Sequence, residues 1–579
     1  MKTVIGYYRK YIPLIILILI FLFGQAMCEL ALPGYMSDII NNGIVKQDMD
    51  YIRNTGLIMI GVSAATVMFS LAGSLLAART AAKSSRDIRH ALFGKVTSFS
   101  AAELEDFSTA SLITRSTNDV QMVQQATVMI LRLACFAPIM GIGAVIRALN
   151  TSLSLSWTIG LALLVILCIM AMSFFLVLPK FQVLQKKLDR LNLIMKERLS
   201  GILVIRAFNT QSMEEGRFDD ANIQLTKINM FVNKAMSFMM PSLMFVMNAV
   251  SILIIWAGAH LVEAQELMIG DMLAYLQYAM HVIMSFLFIT MMFIMIPRAA
   301  VSAQRIGEVL KVEPAIEDPD DPVVLDSCKG LVTFSNVSFA YPDAEEKTLE
   351  NISFTAEPGK TTAIIGGTGS GKSTLISLIP RFYDVTEGAV LLDGIDIRHI
   401  TQHDLREHIG YVPQKGLLFS GTIATNMEYG LENATIEEMT EAAETAQAMD
   451  FIKAKEHGFD EEVSQGGTNV SGGQKQRLSI ARALVKKPEV YIFDDSFSAL
   501  DFQTDKALRN ALKEKVGKST IIIVAQRINT IMDADQIIVL DDGKLAGKGT
   551  HDQLMKSCSV YKEIALSQLS EEELERGRK

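Results

Sequence analysis

Charge is scarce in this sequence. Asp, Glu, Lys and Arg make up 20% of its 579 residues, against roughly 25% in soluble domains. With half of the residues hydrophobic, a disordered chain, a collagen-like repeat and a small secreted scaffold are all excluded. A basic excess is also missing: 54 Lys and Arg stand against 63 Asp and Glu, a net charge of -9. That balance argues against nucleic acid as a partner. The five cysteines (Cys28, Cys135, Cys168, Cys328 and Cys558) include no CxxC pair, so neither a disulfide framework nor a zinc site follows from them. What is left is an apolar chain too long for one core, since domains usually run about 100–200 residues.

The apolar excess is concentrated in the first half. Stretches long enough for a ~30 Å hydrocarbon core lie near 12–33, 56–78, 128–148, 156–178, 237–258 and 272–296. The first follows Lys2, Arg9 and Lys10 as a signal peptide would, but without an A-x-A-like exit it is expected to stay as a signal anchor. Lys and Arg divide unevenly between the connections. Nineteen fall before the first span and in 79–125 and 180–234; two, Lys46 and Arg53, fall on the other side. The positive-inside rule then places the N-terminus in the cytoplasm, and six spans return the C-terminus there. The two inner connections run to about fifty residues with helical periodicity. Long helices projecting past the membrane are expected, with turns near Phe107–Ser116 and Ile205–Gln211.

Polar groups inside the spans include Arg132, Arg147, Asn248, Gln277 and His281. Such groups mark a cavity or pathway unless they snorkel, as expected for Arg147, or pack between helices. Methionines crowd the last two spans, among them Met236, Met244, Met284 and Met292. Helix packing accounts for most of them, with soft, adaptable surface in a pocket as the second reading.

After Arg305 a polar stretch with Pro314, Pro319 and Pro322 reads as a linker, and from Gly330 short β-rich runs alternate with helical ones, the pattern of an α/β domain. The expected division is a six-helix membrane domain at 1–310, a linker at 311–329, a nucleotide-binding domain at 330–569 and a charged tail at 570–579. Strand-like Thr361–Ile365 runs into Gly366-Gly367-Thr368-Gly369-Ser370-Gly371-Lys372-Ser373-Thr374. This is the G-x-x-x-x-G-K-[ST] phosphate loop in its required context. Glycine backbone N–H groups wrap the phosphates, Lys372 is expected to reach the β- and γ-phosphates, and Ser373 to ligate Mg²⁺. A second strand, Val490–Phe493, ends in Asp494-Asp495, placing one carboxylate for Mg²⁺ and the next to polarise a water. Between them Ser471-Gly472-Gly473-Gln474 opens a helix. It reads either as a plain cap or as a second anion cradle, which would suit a nucleotide held between two copies of the domain.

The ordered set of P-loop, Gln414, VSGGQ, FDD, SALD and Val524-Ala525-Gln526-Arg527 resembles an ABC transporter nucleotide-binding domain. With six spans ahead of it, nearly the whole chain resembles a type IV exporter half-transporter. The fold expected is therefore an α-helical six-span transmembrane domain with long cytoplasmic helices fused to an α/β P-loop NTPase domain. The resemblance implies ATP and Mg²⁺ as cofactors, with Ser373, Gln414 and Asp494 at the metal. It implies Tyr341 against the adenine, Gln414 as a sensor, and Ser471–Gln474 capping ATP on a partner's P-loop. Asp501 would run along the dimer interface, and the two inner turns would be coupling helices.

Two residues depart from the family. Asp495 stands where Glu is usual and Gln526 where His is usual, while Ser471–Gln474 is intact. Asp draws the carboxylate back by about 1–1.5 Å, and ~1 Å of misplacement can cost ~10²-fold in rate. Gln can hydrogen-bond a γ-phosphate but cannot carry an imidazolium charge. The chain thus resembles the degenerate half of a heterodimeric bacterial multidrug exporter in the plasma (inner) membrane. It is expected to bind ATP, hydrolyse it poorly at its own site and complete the site of a different partner. Its cargo would be amphipathic drugs, lipids or peptides. A slow homodimer, a non-transporting ATP-gated regulator and an importer are the alternatives.

Overall fold

The computed structural model describes residues 2–325, 327–342 and 344–569; the tail expected at 570–579 lies outside them. The chain divides into two units. One takes the chain up to Thr97 together with Ala110–Lys311; the other takes Ser98–Thr109 together with the chain from Val312.

In the first unit six helices are long and apolar enough to cross a membrane, and each of the six expected stretches lies in one of them. Four are much longer than a ~20-residue span requires: Met49–Thr97 has 49 residues, Ser156–Ser200 45, Gln211–Glu263 53 and Ile269–Lys311 43. At 1.5 Å per residue the 53-residue helix is about 80 Å long, so the periodicity of the long connections is helix continued past the apolar stretch. Close packing depends on small residues: a Cβ on Gly143 would overlap the Leu30 side chain. At one end of the unit, Ser37 Oγ and Asn41 Nδ2 donate to Asp271 Oδ1 at 2.6 and 3.3 Å, and Asn41 Oδ1 accepts from Gly270 N. This clasp joins helix Ile12–Asp38 to Ile269–Lys311.

The inner turns differ from expectation in one respect. The second falls as expected, with short helix Ile202–Ala207 before Gln211. The first lies upstream, as helix Ala101–Asp106. Ser100 and Glu103 start it by a reciprocal capping box, an S-x-x-E signal readable in the sequence.

The second unit has two main sheets. A four-stranded antiparallel sheet runs in the order Leu349–Ala356, Val332–Phe339, Glu387–Leu392, Ile395–Asp396. A six-stranded sheet runs Lys544–Gly549, Gln536–Asp541, Thr361–Gly366, Thr520–Val524, Val490–Asp494, Ile409–Val412. Its strands are parallel except for the outer hairpin. Parallel strands are covered on both faces, and every residue of Val490–Asp494 and Thr520–Val524 is buried. Alternate side chains feed opposite cores, Ala363, Phe493 and Ile523 to one and Ile364, Ile492 and Ile522 to the other.

Helix Ala101–Asp106 is fastened within this unit. The buried Glu103 carboxylate accepts from Ser100 N at 2.6 Å and from Ala315 N at 2.8 Å, and Tyr383 Oη donates to Glu105 at 3.0 Å. Burial alone would raise the Glu103 carboxyl, but the bonds from Ser100 and Ala315 outweigh it and hold it below the ordinary 4.5. A depressed carboxyl stabilises the folded state fully above its ordinary value, and that contribution is lost as pH falls through the folded value. Glu103→Ala is expected to cost about 1–3 kcal/mol by leaving the Ala315 N–H unsatisfied. Thermal unfolding at pH 7 and pH 4 checks this: the gap between wild type and variant should be large at pH 7 and shrink at pH 4.

Candidate functional site

Strand register gathers the site. Val524 pairs with both Ile364 and Asp494, so three strands end level and release the P-loop, Asp494-Asp495 and Gln526 at one edge. This is the carboxyl edge where open α/β sheets bind ligands.

Gly371 stands at φ +91°, where a Cβ would also lie 2.7 Å from Leu349 Cδ2, so only glycine fits this corner before helix Lys372–Ser377. Lys372 Nζ donates to the carbonyls of Gly366 and Gly367 at 3.0 and 2.6 Å. Thr368, Gly369 and Ser370 form the loop between, with Ser370 buried. Ser373 Oγ donates to Asp494 Oδ1 at 3.1 Å, and Thr374 Oγ1 lies 3.0 Å from Tyr341 Oη. The Tyr341 ring meets Phe339 and Tyr383 edge-on, which fixes it beside the P-loop helix. Burial pushes the Asp494 carboxyl up, with the Asp495 charge adding to it. Burial likewise pulls the Lys372 ammonium down, against the pull of both aspartates. Cation and anion at this edge are each short of solvation, a condition that a charged ligand relieves.

Asp495 has two amides on one oxygen. Gln526 Nε2 donates to its Oδ2 at 2.8 Å and Gln414 Nε2 at 3.2 Å. Its backbone is left-handed, φ 46°, a conformation in which Asp is enriched among non-glycine residues. Ser471 and Gln474 form a reciprocal capping box at the start of helix Gly472–Val485, with Ser471 and Gly472 exposed. Asp501 caps helix Phe502–Lys515 by accepting from Thr504 N at 3.0 Å and is also exposed.

Known proteins resemble this chain from end to end. The ABC transporter transmembrane region family matches residues 15–286 and the ABC transporter family residues 349–498. An uncharacterized ABC transporter ATP-binding protein of Mycobacterium tuberculosis is 40% identical over 568 residues, covering 97% of each chain. The chain belongs to the ABC transporter family. A relative in Pseudomonas fluorescens, an ATP-dependent lipid A-core flippase, is 31% identical over 96% of this chain and 94% of its own. Among solved structures, a bacterial Atm1-family ABC exporter with ATP bound superposes with a TM-score of 0.79 at 26% identity, over 97% of this chain and 99% of that one. The protein is thus an ABC exporter half-transporter, a multi-pass inner-membrane protein. Such exporters work as dimers in a lipid bilayer, and the ABC domain binds ATP and couples its hydrolysis to transport.

Two residues of this ABC transporter are not marked as functional by the sequence reading. Gln476 is buried and bridges helix Gly472–Val485 to the Gln414 loop, donating to Pro413 O at 3.2 Å and accepting from Gly416 N at 2.9 Å. Nothing in its local pattern marks it, because its partner loop lies some sixty residues earlier. Glu103 was legible as a capping box.

Proposed function

We propose that this chain is the degenerate half of a heterodimeric ABC exporter for amphipathic cargo. The single observation that carries this reading is the pair of amides on Asp495 Oδ2, from Gln526 and Gln414. A carboxylate oxygen that already accepts two hydrogen bonds is poorly placed to take a proton from an attacking water, and Asp cannot extend past the amides as Glu could. Binding is spared: the glycine corner, Lys372 and Ser373 are all in place.

In this reading Gly366–Thr374 wraps the phosphates, Lys372 turns from the loop carbonyls to the β- and γ-phosphates, and Tyr341 lies against the adenine. Ser373 Oγ and Asp494 Oδ1, 3.1 Å apart, are hard oxygen donors that suit Mg²⁺, with Gln414 beside them. When bound, Mg²⁺ neutralises phosphate charge. Ser471–Gln474 faces the partner's nucleotide, with Asp501 along the interface. ATP favours the closed pair because the second domain's contacts exist only there, and a ligand shifts an equilibrium only by such differential affinity. Closure turns a membrane cavity outward, hydrolysis at the partner's site reopens the pair, and both termini lie in the cytoplasm. The flippase relatives support a lipid-like, amphipathic cargo.

Purification of the tagged chain from its own membranes, with native mass determination, tests this. The expected complex contains one copy of this chain and one of a different half-transporter, with Glu and His at the positions matching Asp495 and Gln526. A complex of two identical chains with brisk Mg-ATPase would refute it.

A further inference from the structure

Across the six apolar stretches the sequence holds one acid, Glu29. A carboxylate at that depth is costly and is kept for a reason. Helix Ile12–Asp38 exposes Ile16, Ile20, Phe23 and Met27 along one stripe and buries Ile18, Leu22, Ala26 and Leu30. At ~100° per residue, Gln25 and Glu29 fall about 160–200° from Met27, on the side away from the exposed stripe, and both are half-buried. Glu29 does not snorkel outward. Its Oε1 accepts from Gln25 Nε2 at 3.2 Å, one turn further into the apolar stretch, the direction in which helical side chains lean.

Helix Ile269–Lys311 supplies the facing wall. Tyr278 Oη donates to Leu30 O at 3.3 Å, which fixes the register of the two helices and sets His281 within electrostatic range of Glu29. Gln277, His281 and Met284 share a face of this helix; Gln277 and Met284 are exposed, while Tyr278, Val282 and Ser285 are buried. Gln277 and Met284 are thus open at membrane depth, where polar groups by default mark a cavity or pathway. Among the described residues Glu29 has no Lys or Arg within ion-pair distance. The result is a carboxyl group held by one neutral amide, on a helix packed against the one that carries Gln277, His281 and Met284.

We propose that Glu29 is the group that selects cationic cargo. Its carboxylate receives the positive head of an amphipath whose apolar body lies along Met284. In a low-dielectric site an unpaired carboxylate attracts a cation far more strongly than it would in water, and it repels an anion of the same size.

This inference rests on the amphipathic-cargo reading above, and the test separates the two. Binding of tetraphenylphosphonium and of tetraphenylborate, matched in size and opposite in charge, is measured on the purified complex in nanodiscs without ATP. Glu29→Gln is expected to weaken phosphonium binding by about tenfold or more, and Glu29→Asp to retain most of it. Borate binding should hold or improve in Glu29→Gln, and ATP binding should be unchanged in both variants. Phosphonium binding that is absent in wild type, or equal in wild type and Glu29→Gln, would overturn the proposal. So would an equal loss of both ions, which would mark a packing defect. ATP-driven uptake of phosphonium into inside-out vesicles reads the export function separately. Glu29-dependent binding without uptake would leave this site standing and remove the cargo reading; uptake indifferent to Glu29 would do the reverse.

Discussion

The double substitution Asp495→Glu with Gln526→His is expected to raise the Mg-ATPase of the purified chain in lipid nanodiscs by about 10²-fold or more. The added methylene carries the carboxylate outward toward a water on the γ-phosphate. The imidazole removes the amide that now sits 2.8 Å from Asp495 Oδ2 and brings a donor that can be charged. Each single change should recover much less than half of the gain in log rate, because the two side chains touch and their effects are coupled. Asp495→Glu alone leaves Gln526 on the acid; Gln526→His alone leaves the acid short. The left-handed backbone at position 495 suits Asp better than Glu, so the unfolding midpoint of the variants belongs beside the rates. A wild-type chain that already turns over briskly, with no gain from the pair, would contradict the degenerate-site reading.

The second large effect separates this chain's two surfaces. In the assembled heterodimer Gly472→Asp is expected to lower turnover by about 10²-fold or more, whereas Lys372→Ala should lower it by less than about tenfold. A Cβ on Gly472 meets nothing within 4 Å, so the substitution leaves this chain's fold alone. The new carboxylate instead opposes the phosphates of the partner's nucleotide. Lys372 serves only the site that does little hydrolysis. In a homodimer the order would vanish, since every site would lose both groups' contributions alike. Steady-state ATPase of the two variants, with photo-labelling by an azido nucleotide to confirm occupancy, decides between these outcomes.

How much was legible beforehand depended on the range of the interactions. Six apolar runs need no tertiary information, because a hydrocarbon core demands their length from each helix separately. The P-loop was equally local: strand, glycines, Lys372 and helix all lie between Thr361 and Ser377. Asp494-Asp495 and Gln526 gained meaning from order along the chain, and the parallel register then brought their strands level. The Gln526–Asp495 bond spans 31 residues and depends on strand adjacency that no local pattern encodes. Gln476 is similar, its role being set by a loop from another part of the sheet. Helix Ala101–Asp106 was misplaced although its capping box was present, because the neighbouring polar run 107–116 looked more like a turn. The Glu29 carboxylate was passed over as one letter in a long apolar run.

The fastening of helix Ala101–Asp106 bears on the order in which the chain can be made. Glu103 reaches Ala315 across 212 residues and Glu105 reaches Tyr383 across 278. At about 5–20 residues per second, ribosomes take roughly 10–60 s to supply those partners after the helix itself has emerged. Through that interval four more apolar helices are synthesised while residues 98–109 lack their final seat. This early segment of the second unit therefore waits for the rest of that unit to be made. A nascent chain halted before residue 312 should expose Ser98–Thr109 to protease, and one carried past residue 383 should protect it.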